Sequence, residues 1–290
     1  MNVFIYSRKV ESDQQEALGH LLYHLLRRGA KLFIQEHFLP YIPLSFEWRN
    51  QLIVLEDLSE LAQMDIVLSV GGDGTILEVS RLLSGIRVPI LGLNSGRLGF
   101  LSQLSFVEFE QAIEDIVNRN FEIEHRSKIQ VNILDADTEF PNALNEVALL
   151  GHPHNTMIAV HAFVNDIFLA TYWADGLMLA TPTGSTAYSM SCGGPIVSPD
   201  TGSFIITPIA PHNLNVRPLI IPQSSKVTFI PETREGQLMM AIDGQSHFLD
   251  REVKIILAKS DVDLRLVRLQ NEHFFKSIRT KLNWGFDKRN

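Results

Sequence analysis

The sequence predicts two domains of different class: a doubly wound α/β domain first, then a mostly β domain. Three observations carry that reading. Before residue 120, apolar runs alternate with segments whose apolar residues recur at helical spacing. From about 120 to 268, helical periodicity is scarce and short apolar runs are broken by Pro, Gly, Asn and Asp. Alternating strands and helices imply a parallel sheet, whose ligands gather at the carboxyl ends of its strands.

Residues 3–6 read as a first buried strand. Ala17, Leu18, Leu21, Leu22, Leu25 and Leu26 follow at amphipathic-helix spacing, with Ser12 and Gln15 as a capping box and Gly29 as a stop. Lys31–Gln35 is the next strand, residues 36–51 an irregular excursion containing Pro40 and Pro43, Leu52–Leu55 a short strand and Asp57–Gln63 a short helix. Residues 65–70 form a buried strand that runs into Gly71-Gly72-Asp73-Gly74-Thr75 and a helix near 75–84. Val88–Asn94 is another strand, ending in the small-residue loop 95–99, and Phe106–Val117 is a helix behind the capping box Ser105…Glu108.

The second domain is read from short apolar runs: Ile129–Leu134, Ile158–Val164, Leu177–Thr181, Phe204–Pro208, Leu219–Ile221, Val227–Ile230, Leu238–Ile242, Val253–Ala258 and Leu264–Leu269. Glu272–Leu282 is helix-like again and is expected to return to the first domain. The predicted boundaries are 1–119 with 270–290 for the α/β domain, which is Rossmann-like, and 120–269 for the β domain.

Composition narrows the function classes. In 290 residues, 45% are hydrophobic and 20% charged, ordinary for a globular protein. A net charge of −8 leaves no basic surplus for nucleic acid. The single cysteine, Cys192, excludes an internal disulfide and a multi-cysteine metal site. No apolar run reaches the roughly 18 residues of a membrane helix. Residues 1–7 begin with strand-like sequence rather than a basic leader, and the expectation is a cytoplasmic protein without a membrane partner.

Two stretches carry chemistry. Gly71, Gly72 and Gly74 surround Asp73 where a strand gives way to a helix. Glycines there let the backbone approach a ligand, and a helix start offers N–H groups and a positive dipole end to phosphate. The plain alternative is a tight turn in which Asp73 caps the helix. Thr181-Pro182-Thr183-Gly184-Ser185-Thr186-Ala187-Tyr188-Ser189 crowds hydroxyls around a glycine and adds an aromatic ring. It offers donors and a stacking surface to a nucleotide, or is simply a polar helix start. Asp175-Gly176 lies just upstream and suits a polar ligand or a turn.

These stretches occur in one order with Asn94-Ser95-Gly96-Arg97-Leu98-Gly99-Phe100, Asn145-Glu146, Thr207-Pro208-Ile209-Ala210-Pro211-His212 and Asp243-Gly244-Gln245. The order and separations resemble the NAD kinases over nearly the whole chain. Gly-Gly-Asp-Gly alone is shared with lipid kinases and phosphofructokinases; together with the threonine-rich stretch about 110 residues later it is specific. The resemblance implies transfer of the ATP γ-phosphoryl group to the 2′-hydroxyl of NAD's adenosine ribose, giving NADP, with a divalent metal, usually magnesium. It implies that Asp73 takes the hydroxyl proton or holds the metal carried by ATP, with no metal held by the protein alone. An ordinary carboxylate is a weak base for an alcohol. A loose phosphoryl-transfer transition state nevertheless makes aim and late proton removal matter more.

Position by position, the resemblance assigns Asn145, Glu146 and Asp175 to NAD's ribose and nicotinamide end. It assigns Thr186, Ala187, Tyr188, Ser189, Met190 and Ser191 to the nucleotide-binding turn, and Ala210 and Gln245 to further contacts. It places the active site in the cleft between the domains and implies a homo-oligomer, tetramer or dimer. The chain departs from the family pattern at Glu78 and Trp173, where many relatives carry basic residues that would meet dinucleotide phosphates; Trp173 is read as core rather than as a stacking residue. The rival functions are a related kinase acting on a lipid or sugar hydroxyl, and a non-catalytic NAD(P)-binding sensor.

His152-Pro153-His154 and His161 lack cysteine or acidic neighbours at metal spacing and read as loop or core histidines. Cys192 reads as a small packed residue beside the nucleotide-binding turn, and Asp287–Asn290 as a frayed tail.

Overall fold

The computed structural model describes residues 1–94, 96, 99–102, 104–134, 138–151, 157–232, 238–249, 253–269 and 273–285. Ser95, Arg97, Leu98, His152–His154 and Asp287–Asn290 lie outside the described residues. The chain forms two compact units, Met1–His125 with Leu264–Asn290, and Arg126–Asp263.

The first unit alternates β1 (Asn2–Tyr6), α1 (Gln15–Arg27), β2 (Lys31–Ile34), β3 (Ile53–Val54), β4 (Ile66–Val70), α2 (Asp73–Leu82), β5 (Ile90–Leu93), α3 (Phe106–Val117) and β6 (Glu122–Arg126). The second unit contains β7 (Ile129–Ile133), β8 (Glu146–Leu150), β9 (Ile158–Val164), β10 (Ile167–Ala174), β11 (Gly176–Ala180), the single turn α4 (Tyr188–Ser191), β12 (Ser203–Ile209) and β13 (Leu219–Pro222). It continues through β14 (Val227–Glu232), β15 (Leu238–Ile242), β16 (Gln245–Leu249) and β17 (Ile255–Lys259). The chain then returns to the first unit as β18 (Leu264–Arg268) and α5 (Phe274–Leu282).

The first unit is built on a seven-stranded sheet in the order β3-β2-β1-β4-β5-β18-β6. Pairing is parallel from β3 through β18. Every residue of β4 is buried, the mark of a central parallel strand covered on both faces. Leu18, Leu22 and Leu25 of α1 and Phe109, Ile113 and Ile116 of α3 share one core with Val3, Ile5, Leu32 and Leu68. The order of strands reverses between β1 and β4, so the loops leaving those two strands open at the topological switch point, where such sheets bind ligands. Gly71–Gly74 is one of these loops and Ser7–Lys9 belongs to the other.

Local signals set some of the helix ends. Ser105 and Glu108 form the reciprocal capping box at α3. Gly29, at φ 80°, follows the last residues of α1 and donates to the Leu26 carbonyl. The expected box at Ser12 and Gln15 does not form: α1 begins at Gln15, with Gln14 at the cap position and no side-chain capping bond. Residues before it close a turn instead, the Gln14 N–H donating to the Glu11 carbonyl.

The second unit packs a five-stranded sheet, β10-β9-β14-β17-β7, and a six-stranded sheet, β13-β12-β11-β8-β15-β16. Neighbours in both sheets are antiparallel. Val131, Val160 and Phe229 of one sheet and Leu149, Leu179, Phe204 and Met240 of the other share one core, so the unit is a sandwich.

Two expectations are corrected. The expected β domain, 120–269, takes in residues 122–126 and the run 264–269, but 122–126 and 264–268 are β6 and β18 of the seven-stranded sheet. Both strands adjoin the long β-rich stretch in sequence, and strand-like sequence alone does not say which sheet it joins. Trp173, read as core, is 47% exposed. On edge strand β10 the two-residue alternation buries Tyr172 and Ala174 and turns Trp173 outward.

Candidate active site

The glycine loop has a different requirement at each position. Gly71 adopts φ 149°, and a Cβ there would lie 2.2 Å from the Thr75 hydroxyl, so the fold itself requires this glycine. Gly72 and Gly74 are exposed, and a Cβ on either would meet nothing within 4 Å. Their missing side chains leave space above the start of α2, where the first N–H groups of a helix have no intrahelical acceptor.

Asp73 does not cap its helix; Gly72 occupies that position. Its half-buried carboxylate instead accepts three consecutive backbone N–H groups: Phe100 donates to Oδ2 at 2.7 Å, and Leu101 and Ser102 donate to Oδ1 at 2.9 Å. The Ser102 hydroxyl donates to the Gly71 carbonyl at 2.9 Å and ties the two loops a second time. Gly99 makes this approach possible, since a Cβ there would sit 1.8 Å from Asp73 Oδ1. Carboxylate oxygens each have two acceptor positions, so among the described residues Oδ2 keeps one unused. A hard oxygen with a free lone pair fits either a hydroxyl donor or a magnesium ion delivered with ATP phosphates.

Glu78 lies one turn along α2 and is ion-paired with Arg8, in the loop after β1; the Tyr6 hydroxyl donates to its other oxygen at 3.3 Å. The acidic residue thus brings an exposed guanidinium to the switch-point edge of the sheet.

In the second unit, Asp175, Asn145, Glu146 and Tyr188 are placed by β11 and its neighbours. Asp175 enters β11 with its N–H donating to Ile209 and its carbonyl accepting from Gly151. Among the described residues no donor hydrogen-bonds its carboxylate. Asn145 and Glu146 lead into β8, where Ala180 of β11 pairs with Glu146. Asp243 positions this entry: its carboxylate accepts the N–H groups of Leu144 at 2.7 Å, Asn145 at 2.7 Å and Glu146 at 3.1 Å. Glu146 is 7% exposed, and its Oε2 has no hydrogen-bond partner among the described residues. Burial, with the Asp243 charge nearby, pushes its pKa up to about 8, against the Tyr188 N–H.

The threonine-rich turn spends most of its hydroxyls on holding itself in the fold. Thr181 Oγ1 donates to the Leu144 carbonyl at 2.5 Å and accepts from Gly184 N–H at 3.1 Å. Ser185 bonds both backbone groups of Val197, and Ser189 shares a 2.9 Å bond with Thr207. Gly184 is needed because a Cβ would lie 2.1 Å from the Asn145 carbonyl oxygen. The hydroxyls expected to meet a nucleotide therefore fasten the turn to residues 144–145 and to β12. Tyr188 and Ser191 are exposed, while Thr186, Ala187 and Met190 are half-buried; Ser189 is buried.

Ala210 is exposed at the end of β12 with φ 46°, a backbone region costly for any side chain. Gln245 is exposed at the start of β16, after the Asp243-Gly244 hairpin turn, whose φ values are 46° and 78°. The fold thus brings Asn145, Glu146 and the 181–191 turn together in the second unit, while Asp73 and its glycines form a separate cluster in the first.

His161 is a sheet residue bonded to Thr171 at 2.8 Å and Glu232 at 2.9 Å. Among the described residues no group of three His, Cys, Asp or Glu side chains gathers to hold a metal. No described helix is long and apolar enough to cross a membrane.

Sequence reasoning missed two supports. The 100–102 N–H groups carry no side-chain signature at all. Asp243 stands in the sequence only as part of the Asp243-Gly244-Gln245 motif, without a role of its own, because its partners lie 97 to 99 positions away.

Known proteins are similar to this chain in sequence and in fold. Residues 43–121 match the ATP-NAD kinase N-terminal domain, and residues 144–269 match the ATP-NAD kinase C-terminal domain. The NAD kinase of Cytophaga hutchinsonii is 38% identical over 290 residues, covering 99% of each chain. That of Christiangramia forsetii is 36% identical over the whole of both chains. Among solved structures, yeast NADH kinase complexed with NADH has a TM-score of 0.89 at 26% identity, over 99% of this chain and 89% of that one. An Archaeoglobus fulgidus NAD kinase in complex with ATP has a TM-score of 0.75 at 27% identity, over 98% and 99%. With both domain families matched in order and relatives above 30% identity over full length, the chain belongs to the NAD kinase family.

Proposed function

We propose that this protein transfers the γ-phosphoryl group of ATP to the 2′-hydroxyl of NAD's adenosine ribose, with Asp73 aiming that hydroxyl. The observation that carries the assignment of Asp73 is its carboxylate, fixed by three backbone donors at the switch-point edge with an Oδ2 position left open. A 2′-hydroxyl donating to Oδ2 presents its lone pair toward phosphorus. As the new O–P bond forms and the bond to ADP's β-phosphate oxygen breaks, the hydroxyl proton passes to Oδ2. Fixed geometry rather than base strength is the main contribution in a loose transition state. Magnesium bound with ATP would neutralise phosphate charge there; were Asp73 its ligand instead, the metal would take the Oδ2 position in place of the hydroxyl.

Residues of the second unit choose the substrate. Glu146, held largely protonated at neutral pH, can both donate and accept, matching a carboxamide or a ribose hydroxyl. Asn145 and the carboxylate of Asp175 add further polar groups, and exposed Tyr188 offers a ring to a base. Thr186, Ala187, Met190, Ser191, Ala210 and Gln245 border the same dinucleotide, with Ser189 supporting the turn from beneath. The reading extends to a homo-oligomer, supported by Ile167, Phe168 and Trp173, exposed at 72%, 55% and 47% on edge strand β10. It extends also to a cytoplasmic location, consistent with a free Cys192.

Incubating the purified protein with NAD, ATP and magnesium and separating the nucleotides tests the reading. NADP is expected, and Asp73→Asn is expected to lose it while still binding NAD. A wild-type protein that binds NAD but forms no NADP would leave a nucleotide sensor instead. Light scattering reports the oligomer directly.

A further inference from the structure

Lys281, near the end of α5, is a cation that none of the roles above uses. Its Nζ is buried and has no hydrogen-bond partner among the described residues. The group lies 4.2 Å from the centroid of the Phe100 ring, a cation–π contact that leaves its three N–H donors without an acceptor among the described residues. Phe100 is the residue whose own N–H binds Asp73 Oδ2. Nζ is also within electrostatic reach of the Asp73 carboxylate, which favours its charged form, although burial is the larger influence and draws its pKa down to about 8. A buried ammonium without acceptors is costly, so its position makes sense if an anion completes its surroundings.

We infer that Lys281 is a phosphoryl-binding catalytic residue: its ammonium holds the group in transit beside Asp73, first as the γ-phosphate of ATP and then as the 2′-phosphate of the product. The inference rests on the proposed reaction at Asp73. A carboxylate that receives a proton next to an incoming phosphate faces a second negative charge, and a cation packed on the Phe100 ring offsets that repulsion. Phe100 places both groups at once, with its backbone N–H on the acid and its ring under the ammonium. The sequence offers no signal for this, since a lysine in the last turn of a helix is ordinary.

Lys281→Met keeps the length and removes the charge, and Lys281→Arg keeps the charge with more donors. For Lys281→Met, kcat is expected to fall roughly 10²-fold, the usual loss for one transition-state donor. Titration calorimetry without ATP should show NADP binding weakened about tenfold or more, the scale of one charge-assisted bond, with NAD binding within twofold of wild type. Lys281→Arg should recover most of both. The melting temperature of Lys281→Met should equal or exceed that of wild type, because a desolvated charge is removed. A folded Lys281→Met protein with wild-type kcat and NADP affinity would overturn the inference. So would a parallel loss of NAD and NADP affinity, which marks a structural role. Absence of NADP formation by the wild type would instead overturn the kinase reading, and the calorimetric comparison still distinguishes the two.

Discussion

Asp73 and Asp243 perform the same local task in the two units and differ in what remains after it. Each is followed by glycine, and each carboxylate accepts three consecutive backbone N–H groups, from 100–102 in one unit and 144–146 in the other. Asp243 is 8% exposed inside a hairpin turn, and its three backbone bonds hold the entry to β8. Asp73 is half-buried between two glycines that face open space, at the carboxyl edge of a parallel sheet, with Lys281 beside it. A carboxylate clamp is thus a structural device in itself. It becomes chemistry where an acceptor position stays open and a cation is at hand.

The comparison can be broken or sharpened by substitution. The largest effect is expected at Asp73: its exchange for Asn should reduce NADP formation ~10³-fold. The amide would also set a donor against the Phe100 N–H, so melting curves should accompany the kinetics. Gly99→Ala comes next. Its methyl group would displace the Asp73 carboxylate without touching its chemistry, and a misplacement of that size costs ~10²-fold in kcat. Unchanged kcat in a folded Gly99→Ala protein would show that the clamp is dispensable.

Glu146→Gln tests the second unit through pH. The folded carboxyl binds its proton up to about pH 8, whereas the unfolded one releases it in the ordinary carboxylate range. Its contribution to stability is therefore greatest at low pH and is lost as pH rises through about 8. Between pH 5 and 9 the wild type should lose thermal stability relative to Glu146→Gln, which lacks the ionisation; parallel curves would contradict the burial argument. The smallest effect is at Ser105→Ala, which opens the capping box of α3 and should cost ~1 kcal/mol in denaturant unfolding with no change in kinetics.

Much of this was legible in the residues. The runs at 158–164 and 238–242 coincide with β9 and β15, because buried strands with regular patterns announce themselves. Edge strands did not: β6 reads Glu-Ile-Glu-His-Arg and β16 reads Gln-Ser-His-Phe-Leu, sequences whose pairing is backbone work with little apolar pattern. Asp73 stood out because glycines isolate it in the chain. Asp243, the 100–102 donors and Lys281 did not, because their importance lies in contacts made across tens of positions. The threonine-rich turn has a structural task that its sequence does not announce: the Thr181 hydroxyl braces the segment that leads to Glu146.

The most direct test sets Asp73→Asn beside Asp243→Asn, measuring kcat for NADP formation and the Kd for NAD in each. Asp73→Asn should lose kcat with NAD affinity within about twofold of wild type, whereas Asp243→Asn, loosening 144–146, should weaken NAD binding about tenfold, the scale of one or two disrupted bonds. Loss of NAD affinity in Asp73→Asn, or wild-type NAD affinity in Asp243→Asn, would contradict the division of labour described here.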